Sequence, residues 1–236
     1  MMFNFLRRCL PHAIKSFVKY RLLDGYALKS YSQEGEDMIL RRIFERQSKG
    51  FFVDVGAHHP KRFSNTYFFY RQGWSGINID AMPGSMKLFK HLRPRDINLE
   101  IPVGPDLKNL TYFVFNEPAL NGFDARLSQQ RDSSGSAFSI VKTIDLQIRS
   151  LESILDEFLP PNTAIDFLSI DVEGLDLDVL QSNNWNKYKP GTVLVEILGS
   201  SLSELKSSDI NVFMEGHGYQ VYAKAVNTVI YKRYAS

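Results

Sequence analysis

The amino-acid sequence predicts an α/β protein built on a mainly parallel sheet, and two observations carry this prediction. Four short apolar runs, continuous and rich in β-branched and aromatic residues, are typical of strands buried on both faces. Segments with helical patterning separate these runs, as expected for strand–helix–strand units. The four runs are residues 51–54, 76–80, 167–171 and 193–196.

Each of these four runs ends on a carboxylate: Asp54, Asp80, Asp171 and Glu196. In a parallel sheet, ligands bind beyond the carboxyl ends of the strands. We therefore expect four acidic side chains along one edge of the sheet. Such an edge suits a ligand that carries cations and hydroxyl groups, and it would repel a bare phosphate.

In the first half of the chain, turn residues separate the elements. Ser32 can cap the first helix, and the acids that follow it complement the positive helix end. Pro83 and Gly84 mark the start of a later helix. The predicted order is a helix over 38–44, the strand at 51–54, a helix opened by 64–66, the strand at 76–80, a helix from 83 to about 92 and a strand over 97–103.

In the second half, alternating apolar residues predict strands and a 3.6-residue period predicts helices. The last two strands follow each other closely, so we expect an antiparallel hairpin. The predicted order is strands over 110–115 and 143–146, a helix over 151–158, a strand over 166–171, a helix over 176–185, a strand over 191–197, a helix over 202–216 and hairpin strands over 219–222 and 228–231.

Residues 116–139 are polar and rich in Ser, Asn and Gln. A segment of this length exceeds a plain connection between two elements. We interpret it as a substrate loop or lid, with disorder as the alternative.

The turn after the first strand bears on the cofactor. It contains one glycine, Gly56, whereas a dinucleotide-binding turn would contain three. Asp80 ends the next strand, where a carboxylate commonly accepts the ribose hydroxyls of an adenosine cofactor. A nucleoside cofactor without phosphates, with a sulfonium and an α-amino group, fits these residues best. We therefore predict S-adenosylmethionine.

Composition narrows the classes of protein that fit. The chain has 236 residues, of which 44% are hydrophobic, enough for one sizeable α/β domain. Cys9 is its one cysteine, which excludes an intrachain disulfide and a cysteine-rich zinc site. The formal net charge is +2, but five basic residues and no acid lie in residues 1–23. The remainder is slightly acidic, which argues against a nucleic-acid-binding surface.

Residues 1–30 form the first predicted region, a basic amphipathic helical segment, and residues 31–236 the second. In the first region, apolar residues share one helical face and basic residues the other. Charges interrupt every apolar stretch, so a membrane span or signal peptide is a poor fit. Two interpretations stay open: a helix packed on the body, or a helix that docks through residues 1–23 on an anionic membrane surface or a glycosyltransferase.

Five motifs resemble the FkbM family of methyltransferases, and the resemblance extends over roughly residues 31–198. It implies a class I methyltransferase (Rossmann-like) fold: a mainly parallel, seven-stranded sheet flanked by helices, with an antiparallel C-terminal strand. It also implies S-adenosylmethionine and O-methylation, often of sugars in glycans or secondary metabolites. The motifs lie at residues 31–37, 53–60, 64–66, 73–74 and 169–174.

We predict a cofactor site made by the acidic motif at 31–37 and by the strand ends. The predicted residues are Gln33, Glu36, Asp54, Gly56, Ala57, Asn65, Thr66, Asp80, Ala81, Val103 and Asp171.

A sugar hydroxyl is a weak nucleophile, so we expect a base or a metal to assist it. His58 and His59 are base candidates because histidine titrates near neutral pH, although either could instead orient its loop. Asp171 and Glu173 could each be a base, a hydroxyl acceptor or a ligand of Mg²⁺. Glu196 could be a third ligand, because magnesium prefers oxygen, or a buried acid paired with a hydroxyl or lysine.

Three functions therefore compete. The preferred one is an S-adenosylmethionine-dependent O-methyltransferase that acts on a sugar hydroxyl of a glycan, a lipopolysaccharide or capsule precursor, or a glycosylated metabolite. The alternatives are a nicotinamide-dependent oxidoreductase and a non-catalytic cofactor-binding scaffold. We expect a cytoplasmic enzyme, peripheral at the inner face of the cell membrane if residues 1–23 dock there.

Overall fold

The structure is a computed structural model of the 236-residue chain. It describes residues 11, 16–17, 26–105, 109–117, 120–123, 125–132, 137–172, 174–199 and 201–234. The chain divides into two compact units, Met1–Ser30 and Tyr31–Ser236. Almost all of the basic N-terminal segment lies outside the described residues, so its amphipathic helix and its docking role stay predictions. Among the helices that are described, none is long and apolar enough to cross a bilayer.

Seven strands form the main sheet, in the order β3-β2-β1-β6-β7-β9-β8. The first five in this order pair in parallel, whereas β9 is antiparallel to both of its neighbours. The predicted parallel sheet with an antiparallel C-terminal strand is therefore confirmed. The strands are β1 (Phe51–Val55), β2 (Ser75–Asp80), β3 (Ile97–Glu100), β6 (Phe167–Ile170), β7 (Thr192–Glu196), β8 (Tyr219–Lys224) and β9 (Thr228–Arg233).

A second, two-stranded antiparallel sheet pairs β4 (Asn109–Phe115) with β5 (Ile140–Gln147), with a bulge between Val114 and Phe115. The chain enters this sheet after Val103 and leaves it before Arg149, and these two residues form an isolated bridge. The predicted third strand is therefore too long, because β3 ends at Glu100 and Val103 pairs outside it.

The first helix that the structure describes precedes β1, and the later helices lie between strands, as predicted for strand–helix–strand units. They are α1 (Glu36–Ile43), α2 (Tyr67–Arg71), α3 (Met86–Leu92), α4 (Ala125–Arg131), α5 (Leu151–Phe158), α6 (Asp176–Gln181), α7 (Leu202–Leu205) and α8 (Asp209–Gly216).

The structure adds detail to two segments of the predicted order. Residues 202–216 form two helices, because Ser208 accepts the N–H of Asn211 and so caps a separate helix. Helix α4 lies within the polar segment 116–139, which is therefore not a plain loop. The contact of this segment with substrate stays a prediction.

The pleat of the central strands sorts their side chains onto two faces, because successive residues point to opposite sides. Val53 and Val55 belong to the larger apolar cluster, with Leu151 of α5 and Val179 of α6. Phe52 belongs to a second cluster, with residues of α1 and α2 and with the rings of Trp74 and Phe167. By the same alternation Asp54 lies on the Phe52 face, a position that decides its surroundings in the site.

Candidate cofactor site

Backbone hydrogen bonds join the carboxyl ends of β1, β2 and β6. The N–H groups of Gly56 and Ala57 donate to the carbonyl of Ile79, at 2.9 and 3.0 Å, and the N–H of Asp171 donates to the carbonyl of Val55 at 3.0 Å. The turns that follow these three strands are therefore held together at one edge. This is where the topology of an open α/β sheet places a ligand.

Gly56 makes the close approach between two of these turns possible. Its φ is +83°, in the left-handed region that favours glycine. A Cβ at this position would lie 1.8 Å from the carbonyl oxygen of Asp171. No other residue fits here without moving the β6 turn.

Asp80 ends β2 and faces the turn after β1. Its two carboxylate oxygens accept the N–H groups of His58 and Met82, at 2.9 and 2.8 Å. A carboxylate has about four lone-pair sites, so each oxygen can still accept one further hydrogen bond. These remaining sites match the two ribose hydroxyls that we predicted Asp80 to bind.

Tyr112 of β4 is a residue of this region that the sequence did not indicate. Burial raises the pKa of its phenol, a hydrogen bond with Asn121 opposes this, and the negative charge of Asp80 raises the pKa further. The small second sheet therefore brings a phenol within electrostatic range of Asp80. The sequence gives little sign of this, because the separation of Tyr112 from Asp80 depends on where the second sheet lies.

His58 and His59 lie in the turn after β1, and the structure gives them different surroundings. His58 is exposed, has a φ of +49° and donates its backbone N–H to Asp80. The Nδ1 atom of His59 accepts two backbone N–H groups, from Lys61 at 3.0 Å and Arg62 at 2.9 Å. The proton of neutral His59 therefore lies on Nε2. This orients the loop, the role that we had left open as the alternative to a base.

This arrangement predicts how loop stability depends on pH. Burial lowers the pKa of His59, and positive charges from His58, Arg62 and Lys61 lower it further. The unfolded chain therefore binds a proton more readily than the folded one, so stability is full above about pH 6.5 and is lost as the pH falls below it. NMR titration of the His59 ring should give an apparent pKa below about 6.5. His59→Asn, which keeps an acceptor, should lose this pH dependence, and an apparent pKa above that of free imidazole would refute the assignment.

Asp54 lies inside β1 and not at its end, so the prediction that it joins the acidic edge is wrong. It is followed in the strand by Val55, and the pleat points it toward the α2 face, where it is 6% exposed. Thr66 donates its hydroxyl to Asp54 at 2.9 Å and accepts from Arg93 at 2.9 Å. A direct contact of Asp54 or Thr66 with a cofactor stays a prediction.

Arg93 completes this buried polar cluster, and sequence reasoning missed it. It is 0% exposed, and its Nε donates to Asp96 at 2.7 Å. Burial raises the pKa of both Asp54 and Asp96, and the charge of Arg93 opposes this at each. Thr66 and Arg93 therefore link Asp54 of β1 to Asp96, which directly precedes β3.

Asn65 connects the α2 side of the site with β6. Its Nδ2 donates to the hydroxyl of Ser169 at 3.1 Å. Its Oδ1 is buried and, within the part of the chain that the structure describes, lacks a hydrogen-bond partner. An orphaned acceptor at this edge is compatible with the predicted role of Asn65 toward a bound cofactor.

Asp171 follows β6 and is exposed at the edge. Asp176, which the sequence analysis did not single out, supports its turn, since its carboxylate accepts the N–H groups of Val172 at 3.3 Å and Gly174 at 3.1 Å. Glu173 lies outside the described residues, so its predicted roles stay predictions.

The acidic motif at 31–37 connects α1 to the start of β9. Glu36 accepts the hydroxyl of Thr228 at 3.0 Å, and Glu34 accepts the N–H of Asn227 at 2.7 Å. Asp37 accepts the hydroxyl of Ser32 at 2.9 Å. The helix N-cap is Gly35, not Ser32, but Ser32 still accepts an N–H of the first turn, that of Asp37, at 3.1 Å.

The remaining predicted residues lie in or next to the elements already described. Gln33 is exposed in the acidic motif, Ala57 is buried after Gly56, and Ala81 is partly buried after Asp80. Glu196 ends β7 opposite Thr228. Val103 pairs with Arg149 beyond β3.

These residues form no metal centre within the described ranges, and they do not line the groove near the C terminus. The described ranges contain no group of three or more His, Cys, Asp or Glu placed to hold a metal ion. A groove of about 950 Å³ lies instead against β8, α7 and α8. None of the predicted site residues lines that groove, which lies at the opposite end of the strand order from β3.

The fold and this edge together define a class of protein. A mainly parallel, seven-stranded sheet with an antiparallel strand near the C terminus, flanked by helices, is the class I methyltransferase fold, as predicted. These residues fit S-adenosylmethionine. Asp80 has acceptor sites left for two hydroxyls, and the Gly56 turn lets a ligand approach the backbone.

The model of the Methyltransferase FkbM domain family matches residues 54–221. The match covers more than half of the chain, so the protein belongs to the FkbM family of methyltransferases, within the S-adenosylmethionine-dependent class. This confirms the resemblance that the five motifs carried.

Two solved structures are weakly similar to the chain. One is a TehB-like SAM-dependent methyltransferase from Corynebacterium glutamicum ATCC 13032 Kitasato, with 10% identity and a TM-score of 0.41 over 94% of this chain and 98% of that one. The other is a candidate O-methyltransferase from Klebsiella pneumoniae, with 12% identity and a TM-score of 0.36 over 98% and 96%. The comparison with curated proteins found no match.

Proposed function

We propose that the protein transfers a methyl group from S-adenosylmethionine to a hydroxyl group of a sugar, in a glycan, a lipopolysaccharide or capsule precursor, or a glycosylated metabolite. Membership of the FkbM family supports methyl transfer. The observation that carries the proposal is the Asp80 carboxylate beside the Gly56 turn, with an acceptor site left on each oxygen.

The chain's own residues have two tasks in this proposal. Asp80 binds the ribose of the cofactor, and Asp171 accepts the hydroxyl of the acceptor and orients its oxygen. When bound, the cofactor supplies a methyl group on a good leaving group. Alignment of donor and acceptor by the protein can then contribute several kcal/mol to the rate.

The surroundings of the candidates narrow the choice of base. His59 is a poor base in this arrangement, because its unprotonated nitrogen already accepts two N–H groups. His58 and Asp171 remain, with Glu173 as a third candidate. Mg²⁺ assistance is a separate proposal: activity that survives EDTA unchanged would exclude a metal requirement.

Calorimetry and turnover test the proposed function. We expect saturable binding of S-adenosylhomocysteine and none of NAD, which separates a methyltransferase from an oxidoreductase. Transfer of radiolabelled methyl to a panel of glycans and sugar nucleotides then separates an enzyme from a scaffold. Binding of NAD in preference to S-adenosylhomocysteine would overturn the proposal.

Asp171→Asn should slow methyl transfer roughly 10- to 100-fold, as expected when a charged hydrogen-bond acceptor is replaced by a neutral one. The amide has nearly the same shape, so binding of S-adenosylhomocysteine should change little. Wild-type turnover by a folded Asp171→Asn variant would exclude Asp171 and leave His58 and Glu173 as candidates.

A further inference from the structure

Cations and aromatic rings cluster around the loop that follows β1, where the cations and Phe63 are exposed and the two tyrosines are half-buried. We call this cluster the cation–aromatic surface, and it consists of Lys61, Arg62, Phe63, Tyr67, Tyr31 and Arg71. The guanidinium of Arg62 lies 4.4 Å from the ring centre of Phe63, and the ammonium of Lys61 lies 5.7 Å from that of Tyr67.

The second half of this surface continues from Tyr67. Tyr31 packs edge-on against Tyr67, with ring centres 4.8 Å apart. Arg71 donates a hydrogen bond to the hydroxyl of Tyr31 and lies 5.9 Å from its ring centre. Three cations thus lie beside three rings of the surface within one short stretch of chain plus Tyr31.

The loop that carries Lys61, Arg62 and Phe63 is held in a defined shape. His59 accepts the N–H groups of Lys61 and Arg62, and the N–H of Ser64 donates to the carbonyl of Tyr31 at 3.0 Å. Phe63 has a φ of +56°, which is rare for a bulky residue. Backbone strain of this kind concentrates at functional sites.

The loop is also anchored to the candidate cofactor site, because the N–H of His58 donates to Asp80. Residues 58–63 contain two histidines, a lysine and an arginine but no acid. The charges that lower the pKa of His59 belong to His58, Arg62 and Lys61, and all three are positive. The loop next to Asp80 therefore carries a net positive charge.

Cations and exposed rings together suit one chemical class of ligand. Arg and Lys pair with carboxylate and phosphate groups through charge-assisted hydrogen bonds. Phe63 is 46% exposed, so its ring offers an apolar face. A pyranose presents both an apolar C–H face and, when acidic, an anionic substituent.

We propose that the cation–aromatic surface binds an acidic sugar of the methyl acceptor, one that carries a carboxylate or a phosphate. The inference rests on the proposed function and specifies its substrate class. It also modifies the expectation that the edge is wholly acidic and repels anions. In this proposal Asp80 binds the cofactor, whereas Lys61 and Arg62 bind the anionic group of the acceptor.

The test compares three soluble probes: glucuronate, glucose 1-phosphate and glucose. Their binding to the full-length protein, saturated with S-adenosylhomocysteine, is measured by NMR or calorimetry. We expect at least one acidic probe to bind on the order of 10-fold more tightly than glucose, with an affinity that falls as salt rises. The two acidic arms separate a carboxylate from a phosphate.

Lys61→Gln/Arg62→Gln should abolish this preference while S-adenosylhomocysteine still binds. The matched control is Arg46→Gln/Lys49→Gln, which removes the same two charges from exposed positions before β1, at the opposite end of that strand. The control should keep the preference.

Three outcomes would overturn the inference: equal binding of all three sugars, an unchanged preference in Lys61→Gln/Arg62→Gln, or tighter binding of a short oligothymidylate that the same variant abolishes. The last would indicate a single-stranded nucleic acid in place of a sugar. Failure of the wild-type protein to bind S-adenosylhomocysteine would instead refute the proposed function, so the two failures are distinguishable.

Discussion

Asp80→Ala is expected to weaken the binding of S-adenosylhomocysteine by roughly 30- to 700-fold. The substitution removes a carboxylate that we propose to accept two ribose hydroxyls. Two hydrogen bonds with a charged partner contribute on the order of 2–4 kcal/mol, and each 1.4 kcal/mol is a tenfold change in dissociation constant. Calorimetric titration measures the effect directly.

Two further variants make this test specific. Asp80 also accepts the N–H groups of His58 and Met82, so Asp80→Asn, which keeps one acceptor oxygen, separates the loss of charge from the loss of the turn. Glu45→Ala removes an exposed carboxylate at the end of α1, and its surface ion pair with Arg42 contributes little. We expect intermediate affinity for Asp80→Asn and wild-type affinity for Glu45→Ala. An unchanged dissociation constant in folded Asp80→Ala would refute the ribose assignment.

Arg93→Met is expected to lower the free energy of unfolding by about 3–5 kcal/mol, because it leaves a buried carboxylate without its partner. Both side chains of the Arg93–Asp96 pair are 0% exposed, so water cannot replace the lost interaction. Thr66 also loses the N–H donor that Arg93 provides. Denaturant unfolding at neutral pH measures the change, provided that unfolding is two-state.

The double variant Arg93→Met/Asp96→Asn identifies the cause. It removes the unpaired charge together with the arginine, so it should recover much of the lost stability. If the double variant is as unstable as the single one, the arginine contributes through the charge of Asp54, which it also offsets, or through packing against Phe52, Tyr70 and Phe89, whose rings surround it. A loss of less than about 1 kcal/mol in Arg93→Met would contradict the buried-pair account.

The sequence predicted the central sheet well because its strands are continuous apolar runs, a pattern that follows from burial on both faces. Asp80 was predicted for the same reason, as a polar residue directly after such a run. Asp54 was misplaced because the strand continues to Val55, and only the pleat decides which face a side chain takes. The end of a strand is the least certain feature of any such pattern.

Other parts of the site depend on contacts that no local pattern encodes. Arginine is almost never fully buried without a partner, so the burial of Arg93 depends on Thr66 and Asp96. These two partners come from different turns. The position of Tyr112 near Asp80 depends on the second sheet. The position of the proton on His59 depends on hydrogen bonds from two N–H groups of the following residues. The sequence does not show how those groups are oriented.

The bridge between Val103 and Arg149 has a consequence for how acceptor preference can diversify. The N–H of Gly104 donates to the carbonyl of Arg149, and the N–H of Arg149 donates to that of Pro102, so the chain leaves the seven-stranded sheet and returns toward it at one point. Residues 104–148 can therefore be exchanged as a cassette between homologues without rewiring the seven-stranded sheet. From the predicted substrate role of residues 116–139, we expect a graft of residues 104–148 to change acceptor choice, measured by turnover on a panel of sugars.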